Sequence, residues 1–292
     1  MRILHVDLGR EMRGGQWQVL LLTRALRGDV ILLARAGGPL LKTAIAEGIV
    51  AAPFSPVELW LAARRCDLAH AHDARAHQWM AALMMKPFVV SRRVAFPVEV
   101  SPLNRWKYSR PAHYIAVSDF VKRSLAASRV PASKITVIYD GVEMPETASR
   151  GGRIIAIATE DPMKGSALVR EAAKIGGFTV RFTNDLLNDL QSADVLLYIT
   201  HSEGLGSAAL VAMAHGVVVV ASRVGGLPEI VEDGVTGILT DNDPHAIAAA
   251  VERAQAARPT LAVTARARVA AEFTTAKLVD RTLDVYRKVL NG

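Results

Sequence analysis

The residues best placed for chemistry are two glycine-rich turns in the C-terminal half. Ser202-Glu203-Gly204-Leu205-Gly206-Ser207 follows a strand-like run at 195–199 and opens a helix of small residues at 208–214. Gly225-Gly226-Leu227-Pro228 follows a second strand-like run, 217–220, and opens another helix. Glycine lets backbone approach a ligand closely. A helix start offers N–H groups and the positive end of a dipole, so the pattern predicts an anion site. The same residues would also suit a purely structural turn in a doubly wound domain.

A second group lies in the N-terminal half. His70 and His72 are two apart on a strand, so they face one side near its C-terminal end, where α/β ligand sites sit. With Asp73 or His77 they could suggest a metal site, but no Cys or Glu completes a ligand set. Arg92 and Arg93 lie just past the next strand and could grip an anionic partner bidentately, or form a salt-bridged surface pair. Asp241-Asn242-Asp243 has the spacing of a metal-holding pair. It precedes Pro244 and a helix, so it reads as a turn with an N-cap.

The elements that must position these residues alternate throughout. The runs 3–8, 30–34, 68–72, 88–91, 113–117 and 135–138 read as strands, with helices at 16–27, 40–47, 75–85 and from Ser118 to 126. The polar, glycine-rich stretch 144–152 reads as a linker. Strands and helices then alternate from 153 to 271, and 274–290 reads as a terminal amphipathic helix. This organisation predicts an α/β chain with parallel sheets. It divides into an N-terminal domain at 1–145, a C-terminal domain at 146–273 and a closing helix at 274–292.

The 292 residues suit two domains, and 51% hydrophobic composition is enough for two cores. Cys66 is the single cysteine, so no disulfide forms within the chain, in keeping with a reducing compartment; a buried apolar role suits it better than catalysis. No run is long enough to cross a bilayer, and the first residues lack the apolar core of a signal peptide. The expectation is a cytoplasmic protein whose membrane association, at the inner face, would be peripheral. Residues 1–150 carry 21 Lys+Arg against 12 Asp+Glu, while the remainder carries 14 against 16. Ten of the basic residues fall within 86–134. Such a patch attracts anionic lipid or an acidic ligand. Nucleic acid would be attracted too, but no nucleic-acid-binding motif supports it.

The chain resembles glycosyltransferase family 4, retaining enzymes of the GT-B fold, and in particular members acting on lipopolysaccharide and other envelope glycans. The resemblance rests on the two glycine turns with Met213-Ala214-His215-Gly216 between them. Four further segments support it: Ile3-Leu4-His5-Val6-Asp7 with Arg13-Gly14-Gly15-Gln16, Asp67 to Asp73, Ala116 to Val121, and Val137 to Val142. The likeness to envelope-glycan members rests on Ser91-Arg92-Arg93 with Phe96-Pro97 and Asn104-Arg105-Trp106-Lys107-Tyr108. It implies two Rossmann-like domains facing across a cleft, with the closing helix crossing back to the first. A nucleotide diphosphate sugar would be the donor, with no metal or other cofactor. The acceptor would be an anionic glycan or glycolipid.

Site residues follow from the same resemblance. Lys164 and Gly165 match the family's phosphate-contacting lysine motif, and Gly14 and Gly15 match a loop that closes over the phosphate. Glu203 matches the first glutamate of the family's paired-glutamate motif, and would accept hydrogen bonds from sugar hydroxyls. Gly204, Leu205, Gly206 and Ser207 would present N–H groups. His72, Arg13, Arg92 and Arg93 fall on the acceptor side, with His72 and Glu203 as the candidate catalytic pair.

The chain also departs from the family. Val211 stands where the second glutamate is expected, and Thr159 where an arginine is common. The span 165–193 is shorter than usual. Arg93 falls near the place of the family's active-site histidine. These departures keep open a non-catalytic scaffold of the same fold, or a sugar-nucleotide epimerase.

Overall fold

The computed structural model describes residues 1–84, 86–99 and 101–292. The chain forms two compact units, one of Met1–Gly141 with Thr275–Gly292, the other of Val142–Thr274.

In the first unit, strands and helices alternate as β1 (Ile3–Asp7), α1 (Gly14–Ala25), β2 (Val30–Ala34), α2 (Pro39–Ala46), β3 (Ala51–Pro53), α3 (Pro56–Arg65) and β4 (Leu68–Ala71). They continue as α4 (Ala74–Leu83), β5 (Phe88–Arg92), α5 (Pro102–Ser109), β6 (His113–Ala116), α6 (Asp119–Ala127) and β7 (Ile135–Val137). The seven strands lie in the order β3-β2-β1-β4-β5-β6-β7, and every pairing is parallel. The order reverses between β1 and β4, a switch point of the kind beside which α/β proteins bind ligands.

The second unit holds β8 (Ile154–Ile157), α7 (Ser166–Gly176), β9 (Val180–Thr183), α8 (Leu186–Leu190), β10 (Val195–Tyr198), α9 (Ser207–Ala214) and β11 (Val218–Ser222). It ends with α10 (Leu227–Ile230), β12 (Ile238–Thr240), α11 (Pro244–Ala256) and α12 (Arg258–Glu272). Its five parallel strands run β12-β11-β10-β8-β9. The closing helix α13 (Thr275–Asn291) belongs to the first unit. Two parallel, doubly wound sheets are the GT-B fold class expected from the sequence.

Strand residues are buried on both faces, which explains why β10 and β11 read as unbroken apolar runs. Val195, Leu197, Val218 and Val220 join Ile247 and Val251 of α11 in the second core. In the first unit α13 contributes Leu278, Val285 and Tyr286 to a core with Ile3, Leu68, Val89 and Ile115.

Several expectations change. α1 starts at Gly14, not Gln16, so Gly14 and Gly15 form a helical first turn rather than a loop. Its start is fixed by Gln16, whose side-chain oxygen accepts from the Arg13 N–H at 3.2 Å. The stretch 144–152 is no free linker but is laced to the second unit. Ser149 N–H donates to His215 O at 2.7 Å, Ser149 Oγ to Ala193 O at 2.7 Å, and Gly152 N–H to Asp194 Oδ2 at 2.7 Å. The strand expected at 68–72 ends at Ala71, because Asp73 turns the chain and caps α4. The expected end of that helix at Met85 lies outside the described residues.

Candidate functional site

Two clusters of polar side chains stand at the ends of central strands, one in each unit. In the second unit, β10 delivers Tyr198 and then the turn holding Glu203. Lys164 Nζ donates to Glu203 Oε2 at 2.9 Å, and Tyr198 OH donates to the same oxygen at 2.8 Å. Gly204 N–H donates to the other oxygen, Oε1, at 3.1 Å. The Lys164 side chain is 38% exposed and Glu203 18%, so the pair is reachable from water. A lysine, a carboxylate and a phenol at this spacing can bind a phosphate and hydroxyl-bearing ligand by exchanging their mutual bonds for bonds to it.

The glycines around the pair have structural reasons of their own. A Cβ on Gly225, at φ 58°, would lie 1.9 Å from Glu203 O, and one on Gly226 would lie 2.2 Å from Gly204 O. The second glycine turn is thus pressed against the backbone of the first, and Gly226 N–H donates to Glu203 O at 3.3 Å. Sequence reasoning assigned these glycines to ligand approach; the close approach seen is backbone on backbone, and it fixes the position of Glu203. Gly165 is left-handed and seats the start of α7 on Ile199. α9 begins at Ser207 after Gly206 at the N-cap position, which carries no side-chain cap, and Leu205 is buried beneath the turn.

A polar frame supports the turn from behind. Thr200 N–H donates to Ser222 Oγ at 2.9 Å, Ser222 Oγ to Asn242 Oδ1 at 2.6 Å, and Asn242 Nδ2 back to Thr200 O at 3.0 Å. Asp243 caps α11 by accepting from Ala246 N–H at 2.9 Å. The 241–243 segment is therefore a turn and N-cap, as its Pro244 implied. Val211 lies half-buried on α9.

The first-unit cluster is enclosed. His5 Nδ1 lies 2.9 Å from His72 Nε2; His70 Nδ1 lies 2.6 Å from Tyr286 OH, and its Nε2 lies 2.8 Å from Ser91 Oγ. Exposure of the three imidazoles is 0%, 1% and 6% for His5, His70 and His72. Burial disfavours their charged forms: His5 is lowered to about 3, and His70 and His72 fall well below the ordinary range. The three could surround a metal ion, since their ligand atoms lie within 4.8 Å of one another. Both nitrogens of His70 are already hydrogen-bonded, which favours a neutral network over a ligand set. His72 Nδ1 has no partner among the described residues, and it borders a cavity of about 10 Å³, the space of a single water, with Gln18, Ser91 and Arg93. His77, expected as an alternative ligand, is apart from this trio, against Tyr108 and Lys107 O.

The acceptor-side arginines differ from their expected arrangement. Arg93 is ion-paired with the buried Asp140, and its stem packs on Gly15. Arg92 donates to Phe96 O at 2.7 Å and Tyr108 OH at 3.2 Å, so it ties down the loop after β5. Neither guanidinium is a free fork. Arg13 is 78% exposed and pairs with Glu11 at 2.8 Å. Asp7, at the end of β1, accepts from Gln16 Nε2 at 3.0 Å. Its carboxyl is raised by burial first and then by the nearby Asp73. Sequence reasoning missed Asp7, Asp140 and Tyr198 as site neighbours. The available signal was a polar residue at the end of a strand for Asp7 and Tyr198, whereas Asp140 lies in the loop after β7.

Two family models cover most of the chain: "Glycosyltransferase Family 4" matches residues 5–144, and "Glycosyl transferases group 1" matches residues 142–256. A D-inositol 3-phosphate glycosyltransferase of Saccharomonospora viridis is 40% identical over 109 residues, covering 36% of this chain and 25% of that protein. An alpha-maltose-1-phosphate synthase of Mycolicibacterium smegmatis is 39% identical over 130 residues, covering 40% of this chain and 34% of that protein. The matched regions thus span only a quarter to a third of these relatives' lengths. Among solved structures, Anabaena Alr3699/HepE in complex with UDP and glucose superposes with a TM-score of 0.86, covering 99% of this chain and 100% of that one at 17% identity. The apo lipopolysaccharide outer core galactosyltransferase WaaB gives 0.74 at 11% identity, with 99% of both chains covered.

Proposed function

Because the chain belongs to the glycosyltransferase group 1 and family 4 proteins, we propose that it moves a sugar from a nucleotide diphosphate donor to a hydroxyl of an envelope glycan or lipid-linked acceptor. The observation that carries this reading is the Lys164–Glu203 pair, 2.9 Å apart beside the glycine start of α9. Transfer expels a nucleoside diphosphate from the anomeric carbon, so negative charge builds on the leaving phosphate. Lys164 turns from Glu203 to that phosphate, joined by N–H groups of the 204–207 turn. Freed of the ammonium, Glu203 accepts hydrogen bonds from the donor sugar and holds its anomeric carbon in line. Tyr198 keeps the carboxylate oriented through the exchange.

In this reading the positive charge at the diphosphate comes from protein groups, and the reaction needs no metal. Transfer is retaining. Exposed Arg13 serves the acceptor side, at the cytoplasmic face of the inner membrane, while His72 and Arg93 stay within their enclosed network. The HepE structure makes UDP-sugars the first donors to try.

Thermal stabilisation by UDP-, GDP- and ADP-sugars without metal tests the reading. One nucleotide class should raise the melting temperature, and the same sugar should appear in labelled product. Absence of any shift at about a hundred times the expected dissociation constant, where about 2.7 kcal/mol is due, would overturn it. A second reading, a non-catalytic scaffold, is favoured by Val211 and Thr159, which cannot supply the carboxylate and guanidinium contacts common in the family. Tight capture of another transferase without donor binding would support it.

A further inference from the structure

The first unit carries an outward apolar face that neither its core nor the proposed chemistry uses. On α3, Val57, Trp60, Leu61 and Arg64 recur at i, i+3, i+4 and i+7 and are all exposed, while Leu59 and Ala62 point inward. On α4 the exposed stripe includes Trp79 and Leu83; on α5 and the loop before it, Phe96, Leu103 and Trp106. Leu103 is 68% exposed, Val57 65%, Phe96 62% and Trp60 51%. The three helices pack side by side, α3 on α4 and α4 on α5, so these residues form neighbouring stripes. Scattered apolar side chains are ordinary on a surface, but large ones on three adjacent helices mark an interaction face.

The chemistry around the face indicates what covers it. Three of the chain's four tryptophans are here, and Arg64 lies over the Trp60 ring at 4.0 Å. Exposed Arg65, Arg75 and Arg110 stand on the same helices or their ends. Tryptophan with an arginine fringe suits the headgroup level of a bilayer: the ring enters and the guanidinium reaches back to phosphate. A pocket of about 250 Å³ is lined by Ser101, Asn104, Arg105 and Tyr108 of α5 and its cap, with Arg129 and Lys134. Three cations with hydroxyl and amide donors fit an anionic headgroup. Glu99 also lines the pocket, and Glu58 is exposed on α3, so the charge there is mixed but net positive. Among the described residues no helix is long and apolar enough to cross a membrane, so the contact would be made from the surface.

We propose that the α3–α4–α5 face docks on an anionic lipid bilayer, with Trp60, Trp79 and Trp106 in the headgroup layer and the Arg105–Arg129–Lys134 pocket holding a lipid phosphate. The proposal rests on the placement at an inner membrane face given above, and it names the side of the molecule that meets the lipid.

Flotation of the full chain with vesicles tests it without any donor present. With phosphatidylglycerol–phosphatidylcholine vesicles at low salt the protein should float, with its tryptophan emission shifted to the blue. Pure phosphatidylcholine should hold it at least about tenfold less. Trp60→Gln/Trp79→Gln/Trp106→Gln should lower partition into anionic vesicles at least about tenfold. Arg105→Glu/Lys134→Glu should weaken it and flatten its salt dependence. Circular dichroism melting and nucleotide-induced stabilisation, measured on the same samples, should stay at the wild-type values. That separates loss of the lipid face from loss of the fold or failure of the transferase reading. Wild-type protein that stays off anionic vesicles, or variants that float equally well, would overturn the proposal. So would light scattering that shows a wild-type dimer broken by the tryptophan changes without flotation, since the occupant would then be a second copy.

Discussion

The charged groups of the second unit meet where water reaches them, whereas the histidines of the first meet in a core that excludes it. Lys164 and Glu203 are 38% and 18% exposed, and each can trade its partner for a ligand with modest loss. His5, His70 and His72 are at most 6% exposed, and burial keeps them neutral. Both clusters sit at strand ends of parallel sheets, so position alone does not separate a binding site from a structural network. Exposure and replaceable partners do. The four predictions below test that distinction, in order of falling effect.

The largest effect should come from the backbone seam beneath Glu203. Gly225→Ala places a methyl 1.9 Å from Glu203 O, at φ 58°. It should cost about 3–5 kcal/mol by denaturant unfolding, from overpacking plus left-handed strain. Gly234→Ala has a similar φ, 76°, but nothing within 4 Å. It should cost only about 1–2 kcal/mol. Equal losses would mean that the seam is loose and that Glu203 is positioned by other means.

Next is Lys164→Ala. Removing one preorganised donor from a leaving phosphate should lower turnover about 100- to 1,000-fold. Because the pair is exposed, unfolding free energy should change by less than about 1 kcal/mol. Labelled-sugar transfer and urea unfolding on one preparation check both halves. A large stability loss with unchanged turnover would make the pair structural and erase the contrast with the histidines.

The third prediction concerns pH. A histidine whose folded pKa lies below its ordinary 6.5 binds fewer protons in the native state. Its contribution is complete above about 6.5 and is lost as pH falls toward the folded value, about 3 for His5 and for His77. Each such histidine should add a slope of up to about 1.4 kcal/mol per pH unit over that window. All four tryptophans, Trp17, Trp60, Trp79 and Trp106, lie in the first unit, so their emission follows that unit's unfolding. The emission midpoint should fall steadily with acidification below about pH 6.5. A flat midpoint would place water among the imidazoles.

Legibility in the sequence followed the same divide. The second unit's strands and turns could be read because a buried parallel strand is one apolar run and a glycine turn is local. The Lys164–Glu203 contact spans 39 positions and was not expected; the family resemblance assigned the two residues separately, one to phosphate and one to sugar hydroxyls. α3 and α5 were not anticipated, and neither was the short β3. The reason for α3 is physical: Val57, Trp60 and Leu61 face outward, so the helix shows no clean apolar side to sequence inspection. Arg92 and Arg93 were visible as a basic pair, but their partners Phe96, Tyr108 and Asp140 come from tertiary contacts. The fold was thus readable from local periodicity, while the charge pairing of the candidate site was not.

The smallest effect is the most discriminating, because one chemical change can be made in both clusters. Tyr286→Phe removes the hydroxyl 2.6 Å from His70 Nδ1, in a core where Tyr286 is 0% exposed. The imidazole then keeps only Ser91, and a buried polar atom left without a partner should cost about 1–3 kcal/mol. The ring itself still fills the space among Ile3, Leu68 and Val89, so α13 should remain docked and the cooperativity of unfolding should be unchanged. Tyr198→Phe removes the hydroxyl 2.8 Å from Glu203, where water can replace it. That change should cost less than about 1 kcal/mol in stability. It should instead appear in the Michaelis constant for the donor, since Glu203 loses the group that orients it. If the two variants lost equal stability, burial would not separate the clusters, and the second-unit pair would be as structural as the histidine network.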